Sequence, residues 1–316
     1  MDVVSTIKNF PAISTAMLGS HSHSGRLLFD VDGFAEDFNR RPLHAEHNLH
    51  ELDLFSADSL AFLSKRYSSH PDDYFVAGSA PTPGTPFYSV PHGAREPQDV
   101  LATLADQPSR LLLKRPENYD PRFRMLLDSL FEQIVSLQPT LRLESITRLE
   151  SAIFISSAAT TTPFHFDPEI AFFSQIEGEK IYHVYAPAVL SETELENFYV
   201  HNVVNIGQVD LANRDPAMEQ VFKLRPGFGL HQPQNAPHWV ETGGSRSVSY
   251  SFVFETENSR ATGRARSFNH TLRRLGLNPI APGTHPRRDD IKAIAMKLAL
   301  PARRRIGKLV RSTMGR

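Results

Sequence analysis

The chain of 316 residues contains no cysteine. That absence excludes a disulfide scaffold, a thiolate nucleophile, Cys-ligated zinc and iron–sulfur clusters together. Any metal must therefore sit on histidine and carboxylate. Long hydrophobic runs are missing as well: stretches such as Ala152-Ile153-Phe154-Ile155 fall far short of a membrane span. The first twenty residues lack a basic start leading into a continuous apolar segment. A soluble, cytoplasmic protein with no transmembrane segment is expected. Neither G-x-G-x-x-G nor G-x-x-x-x-G-K-[ST] occurs, which argues against a nucleotide-phosphate cradle. No internal repeat is visible either.

What is present is ordinary in bulk, with 40% hydrophobic and 22% charged residues, enough to bury a sizeable core. The length suits two domains or one β core with helical additions. The net charge of −1 hides an asymmetry, because His285 to Arg316 holds ten Lys and Arg against Asp289 and Asp290. The C-terminal tail is a separate basic object. Fourteen histidines draw attention to where they fall. His21, His23, His44, His47 and His50 are scattered without a period, and solvated loop positions are the expected reading.

The periodicity changes once along the chain. Ser56 precedes a helical pattern through Leu60, Leu63 and Tyr67. Residues 77–97 are rich in Pro and Gly and read as a loop. Leu111-Leu112-Leu113 reads as a buried strand. Asp120-Pro121 supplies an N-cap and a first-turn proline for a helix over 121–137, with Phe123, Leu126, Leu127, Leu130, Phe131 and Ile134 on one face. After Pro139 strand-like runs take over at 153–155, 170–176, 181–185, 221–224 and 248–254, separated by Gly, Pro and Asn. Helices followed by strands predict an antiparallel β unit with helical additions. The division expected is a helical and loop region over 1–140, a β core over 141–258 and a basic helical extension over 259–316. In the last, Ile291, Ile294, Ala295 and Leu298 fit one amphipathic helix, and Pro301 starts a second.

The chemistry concentrates in Thr162-Pro163-Phe164-His165-Phe166-Asp167. Residues two apart on a strand face the same side, so His165 and Asp167 can offer an imidazole and a carboxylate to one point. His238, in Pro237-His238-Trp239-Val240, is a third candidate ligand, and His231 is its rival. Two imidazoles and one carboxylate on one face of an octahedral ion leave positions open, the arrangement of non-haem Fe(II) oxygenases. Spacing alone is weak evidence: His70-Pro71-Asp72 has the same H-x-D form in a polar, turn-like run. The second copy instead continues through Phe172-Phe173 to a Glu177-Gly178 hairpin turn and Lys180. An inward Lys180 is a costly buried charge unless an anion such as a dicarboxylate meets it. His183 alternates with Lys180 and should face the other way. Tyr182 shares the lysine's face, and Trp239 reads as packing.

The stretch from Thr162 to Pro187, with Pro226-Gly227 through Val240, resembles the JmjC-type, cupin-like Fe(II)- and 2-oxoglutarate-dependent oxygenases over about a third of the chain. The resemblance implies a double-stranded β-helix, or jelly roll, with an N-terminal helical region and C-terminal helices. It implies that His165, Asp167 and His238 bind iron and form the catalytic centre, and that Lys180 pairs with the distal carboxylate of 2-oxoglutarate. Thr162 would hydrogen-bond that carboxylate and Phe173 would wall the pocket. Another branch of these oxygenases uses an Arg downstream of the distal His, which makes Arg246 the alternative to Lys180. Two departures stand out: Ala171 lies where some relatives carry an amide, and Phe228 replaces an acidic residue.

The implied activity is hydroxylation of a peptide or protein side chain, or of an amino-acid-like small molecule, with release of succinate and CO₂. A catalytically silent binding protein, or a cupin metal enzyme needing no 2-oxoglutarate, are the alternatives. The intact ligand set argues against the first and Lys180 against the second. A homodimer through the C-terminal helices is expected from the apolar stripe there, with nucleic acid or anionic lipid as the lesser reading of Arg303-Arg304-Arg305.

Overall fold

The change of period after Pro139 marks a real boundary in the computed structural model, which describes residues 25–29, 33–90, 92–200 and 206–299. In chain order the N-terminal part holds β1 (Leu27–Phe29), α1 (Phe34–Asp37), β2 (Leu43–His47), α2 (Ala57–Lys65), β3 (Tyr74–Ala77), β4 (His92–Gly93), α3 (Pro97–Ala102), β5 (Arg110–Lys114) and α4 (Pro121–Leu137). There follow β6 (Ile146–Ser156), β7 (Thr161–Phe166), β8 (Ile170–Glu177), β9 (Lys180–Val184), α5 (Glu192–Tyr199), β10 (Gly207–Gln208), β11 (Gln220–Leu224), β12 (Phe228–Gln232), β13 (His238–Thr242), β14 (Ser247–Thr256) and α6 (Glu257–Arg274). A last helix, α7, covers 286–299. The second basic helix expected after Pro301 lies outside the described residues, as do His21 and His23.

Among the described residues two antiparallel sheets form. The larger runs β1-β2-β12-β8-β14-β6-β5-β3-β4 and the smaller β10-β7-β13-β9-β11. Consecutive strands from β7 to β9 alternate between sheets, and β12 to β14 do the same, which is the winding of a jelly roll. The mainly β fold with helical additions is thus what the chain adopts. The region before residue 140 is less purely helical than its sequence reads, because β1 to β5 extend both edges of the larger sheet. The Pro- and Gly-rich 77–97 stretch is mostly loop, with β4 near its end.

The strand sequences explain which face meets what. On β14, Val248, Tyr250, Phe252 and Phe254 belong to the main core, where the larger sheet meets the helices. The alternate residues Ser249 and Ser251 pair with Gln175 and Phe173 of β8 and so face the space between the sheets. β8 is buried on both faces and reads as a nearly continuous apolar run rather than an alternation. Helix α4 begins where expected, with the Asp120 carboxylate accepting from Arg122 N, and it buries all six residues of its apolar stripe. At about 1.5–3 kcal/mol per large apolar side chain, that stripe is a main tie between the N-terminal region and the larger sheet. Phe131 meets Phe254 edge-on with centroids 5.2 Å apart.

A second core fills the gap between sheets with Phe173, Tyr182, Val184, Leu224, Leu230, Ala236 and Val240. Along the same inner face of the larger sheet lie the small side chains Ala171, Ser251 and Ser249. No helix among the described residues is long and apolar enough to cross a membrane.

Candidate active site

Two adjacent strands of the smaller sheet bring the histidines together. His165 on β7 stands directly opposite His238 on β13, just before a register shift between His238 and Val240. Their ring centroids are 4.2 Å apart. The Asp167 carboxylate lies 3.9 Å from His165 Nε2 and 3.7 Å from His238 Nε2. Those separations are too long for hydrogen bonds. They are the spacing of ligand atoms around a shared cation, and one ligand atom from each residue falls within 4.8 Å of the others.

Each ring is oriented by the same local device. His165 Nδ1 lies 2.6 Å from the Pro163 carbonyl and His238 Nδ1 lies 3.0 Å from the Ala236 carbonyl, two residues back in both cases. A carbonyl only accepts, so Nδ1–H donates and the Nε2 lone pair points at the centre. Burial pushes His165 down to about 4, and burial with the neighbouring imidazole pushes His238 down to about 3. Both rings are neutral at physiological pH, as metal binding requires. The donor set is hard carboxylate with imidazole and no sulfur, which fits a ferrous ion.

Lys180 starts β9 and points into the same space, 5% exposed. Its ammonium lies 5.2 Å from the Phe173 ring centroid and 5.6 Å from that of Phe154. Among the described residues it has no carboxylate or hydrogen-bond partner. Burial, with Arg110 nearby, pulls it down to about 7. An isolated buried cation of this kind is expensive, and an incoming carboxylate would remove the cost. Thr162 sits on β7 beside this region, opposite Val240. Phe173 is buried against Tyr182 and Phe154.

The structure sorts the rival residues. His231 is fully buried on the other face of the larger sheet, with Nδ1–H donating to the Ala171 carbonyl and Nε2 accepting from Asn39 N. Both nitrogens are used, and the ring stacks between Phe38 and Phe172. Arg246 pairs with Glu177 on a half-exposed surface, away from the pocket. His183 faces outward as expected, stacked on Trp239 with centroids 3.6 Å apart. His70 caps a short turn at Pro71–Asp73, so the first H-x-D copy builds no site. His47, read as a solvated histidine, is instead buried: it accepts from Leu49 N and bonds the Phe228 carbonyl.

Several residues of the site were not singled out from the sequence. Arg110 donates from Nη1 to Thr162 Oγ1 at 3.0 Å. Phe87, from the Pro-rich loop, lies over His165 with centroids 4.9 Å apart and narrows the approach. Gln232 faces Ala171 across β12 and β8, so an amide reaches the place where residue 171 has none. The Tyr182 hydroxyl donates to its Oε1, while its Nε2 has no partner among the described residues. The signal for Arg110 was its place one step before Leu111-Leu112-Leu113, sharing a strand face with Leu112. For Phe87 the sequence offered none.

Fold and site together define the class: a jelly roll with a two-histidine, one-carboxylate centre at one end. Residues 129–262 match the family model of the JmjC domain. Comparison with curated proteins gives no match. Among solved structures, an X-ray structure of E. coli ycfD is 20% identical with a TM-score of 0.53, covering 88% of this chain and 69% of that one. A structure of YcfD, a ribosomal oxygenase from Escherichia coli, in complex with cobalt and 2-oxoglutarate is also 20% identical, with a TM-score of 0.50 and coverage of 87% and 68%. At such identities the likeness is one of fold.

Proposed function

We propose that the chain is an Fe(II)- and 2-oxoglutarate-dependent oxygenase that hydroxylates a side chain of a protein substrate. The observation that carries this reading is the convergence of His165, Asp167 and His238 beside a buried, unpaired Lys180. The JmjC domain supports it, and so does the shared fold of a protein solved with cobalt and 2-oxoglutarate. That protein is a ribosomal oxygenase, which favours a protein over a small molecule as substrate here. The catalytic core is assigned to 141–258, supported by the run of strands from Ile146 to Thr256.

In this reading His165, Asp167 and His238 hold the iron through two Nε2 atoms and one carboxylate oxygen. Bound iron and cosubstrate supply the oxidant, with 2-oxoglutarate decarboxylated to succinate and CO₂ as oxygen is divided between it and a substrate C–H bond. Lys180 binds the distal carboxylate and Thr162 donates its hydroxyl hydrogen to it. Phe154, Phe173 and Tyr182 keep that end dry, which strengthens the ion pair. Phe87 on the open side limits where a substrate side chain enters. No residue is required as a general base, because the protein's task is to place one C–H bond.

The test is anaerobic titration of Fe(II)-loaded protein with 2-oxoglutarate, followed by the visible charge-transfer band of the chelate. The band is expected in the wild type and absent in His165→Ala and Asp167→Ala. Wild-type protein that binds iron and never develops the band would remove this function. Succinate release stimulated by candidate peptides then identifies the substrate. The homodimer reading is supported by Ile291, Ile294 and Leu298 on α7, which are 68%, 59% and 73% exposed. Light scattering of the wild type against Ile294→Glu tests it.

A further inference from the structure

The pocket wall holds two cations where one carboxylate is to be met. Besides Lys180, Arg110 opens β5 opposite Ser156 and on the same strand face as Leu112, which pairs with Phe154. Its guanidinium is fixed at two points, with Nε donating to the Gly78 carbonyl at 2.8 Å and Nη1 donating to Thr162 Oγ1 at 3.0 Å. No carboxylate pairs with it among the described residues, and its charge is felt by both Lys180 and His165. A guanidinium can only donate. The Thr162 oxygen is therefore the acceptor in that bond, and its own hydrogen has no acceptor among the described residues.

We propose that Arg110 is a second cationic anchor for the distal carboxylate of the cosubstrate, and that by donating to Thr162 it turns the threonine hydroxyl hydrogen toward that carboxylate. Arg110 is in this sense a positioning residue for Thr162 and a charge partner beside Lys180. The inference rests on the 2-oxoglutarate reading and deepens it. Its consequence is selectivity: a 2-oxo acid without a distal carboxylate leaves two partly or wholly desolvated cations unmet.

Calorimetry on Mn(II)-loaded protein decides it, with 2-oxoglutarate and 2-oxopentanoate as the two probes. Arg110→Gln is expected to weaken 2-oxoglutarate by about tenfold or more, the worth of a charge-assisted hydrogen bond. It should leave 2-oxopentanoate within about twofold. Arg110→Lys should recover part of the loss, since the charge remains and the fork does not. Thr162→Val should weaken 2-oxoglutarate alone in the wild-type background, and add little once Arg110→Gln is present. Equal loss for both acids in Arg110→Gln would mean packing and would overturn the proposal, as would unchanged 2-oxoglutarate binding. Should Arg110→Gln fail to fold, Thr162→Val carries the test, and its indifference to 2-oxoglutarate is the overturning result. Wild-type protein that binds neither acid sinks the oxygenase reading itself, a result distinct from either of these.

Discussion

His165 and His238 stand opposite each other on neighbouring strands, rings 4.2 Å apart, each with Nδ1 tied to a carbonyl two residues back. Two Nε2 lone pairs are thereby presented toward Asp167. Replacing either ring by Ala should lower Co(II) affinity by more than about 100-fold. Merely losing the groups that orient such a ligand costs about 10–100-fold. A Co(II) absorbance titration checks this, with His231→Ala as a control that should keep the metal. Saturating metal at about 100 times its Kd should also stabilise the fold by about 2.7 kcal/mol.

Lys180 should take up a proton when the cosubstrate binds. Its pKa is lowered to about 7 by burial, so at pH 8 the free protein holds it mostly neutral. A carboxylate alongside favours the charged form and raises the pKa. Calorimetry in buffers of different ionisation enthalpy should give nearly one proton taken up per 2-oxoglutarate at pH 8, and close to none at pH 6. Lys180→Met should abolish the uptake. Arg246→Gln should leave it intact, because Arg246 is committed to Glu177.

Acid stability should follow two histidines outside the group formed by His165, Asp167 and His238. Burial pushes both His47 and His231 down to about 4 from 6.5, and each uses one ring nitrogen as an acceptor. Between pH 6.5 and 4 the unfolded imidazoles bind protons that the folded ones refuse. The stabilisation is therefore present above about pH 6.5 and lost as the pH falls toward 4, by about 3 kcal/mol for each group. The melting temperature should fall steeply across that window. In His231→Phe it should start lower, with two backbone groups unpaired, yet fall less steeply.

The turn that delivers Lys180 is not the hairpin expected from the sequence but a crossing from β8 in the larger sheet to β9 in the smaller one, and it depends on Gly178. Its φ is +69°, and an added Cβ would lie 2.2 Å from the Arg246 carbonyl oxygen. Gly178→Ala should cost well over about 1 kcal/mol, the conformational term alone. Gly84→Ala, with nothing within 4 Å of the new atom, should be close to silent. Thermal denaturation of the two variants makes the comparison.

Much of this was legible in the sequence for identifiable reasons. Helix α4 carried three signals that agreed: Asp120 as cap, Pro121 in the first turn and a six-residue apolar stripe. His165, Asp167 and Lys180 lie within sixteen residues, so strand alternation and one glycine turn were enough to mark them as candidates, although that turn crosses between the sheets rather than closing a hairpin. Strands β1 and β2 escaped because they are short and join the sheet only through the pairing of β2 with β12, some 180 positions away. His47 was misread for the same reason, since what buries it is Phe228 of that distant strand. Phe87 stands in a loop held by Gln208, which accepts its backbone N–H, and no local pattern records such a contact.

The chemistry on offer was already set along the chain: no thiol, a His-x-Asp strand, a lysine after a glycine turn, and apolar periods that separate helices from strands. These are local properties, fixed by side-chain identity and by the two- and 3.6-residue repeats of the backbone. Which histidine lies beside His165 and Asp167 was decided only on folding, by pairing β13 with β7 and sending His231 to the opposite face of the other sheet. The meeting of Arg110 with Thr162 across 52 positions has the same origin. Long-range strand pairing is selected by the burial of whole faces, and that selection is a property of the assembled sheets rather than of any one segment.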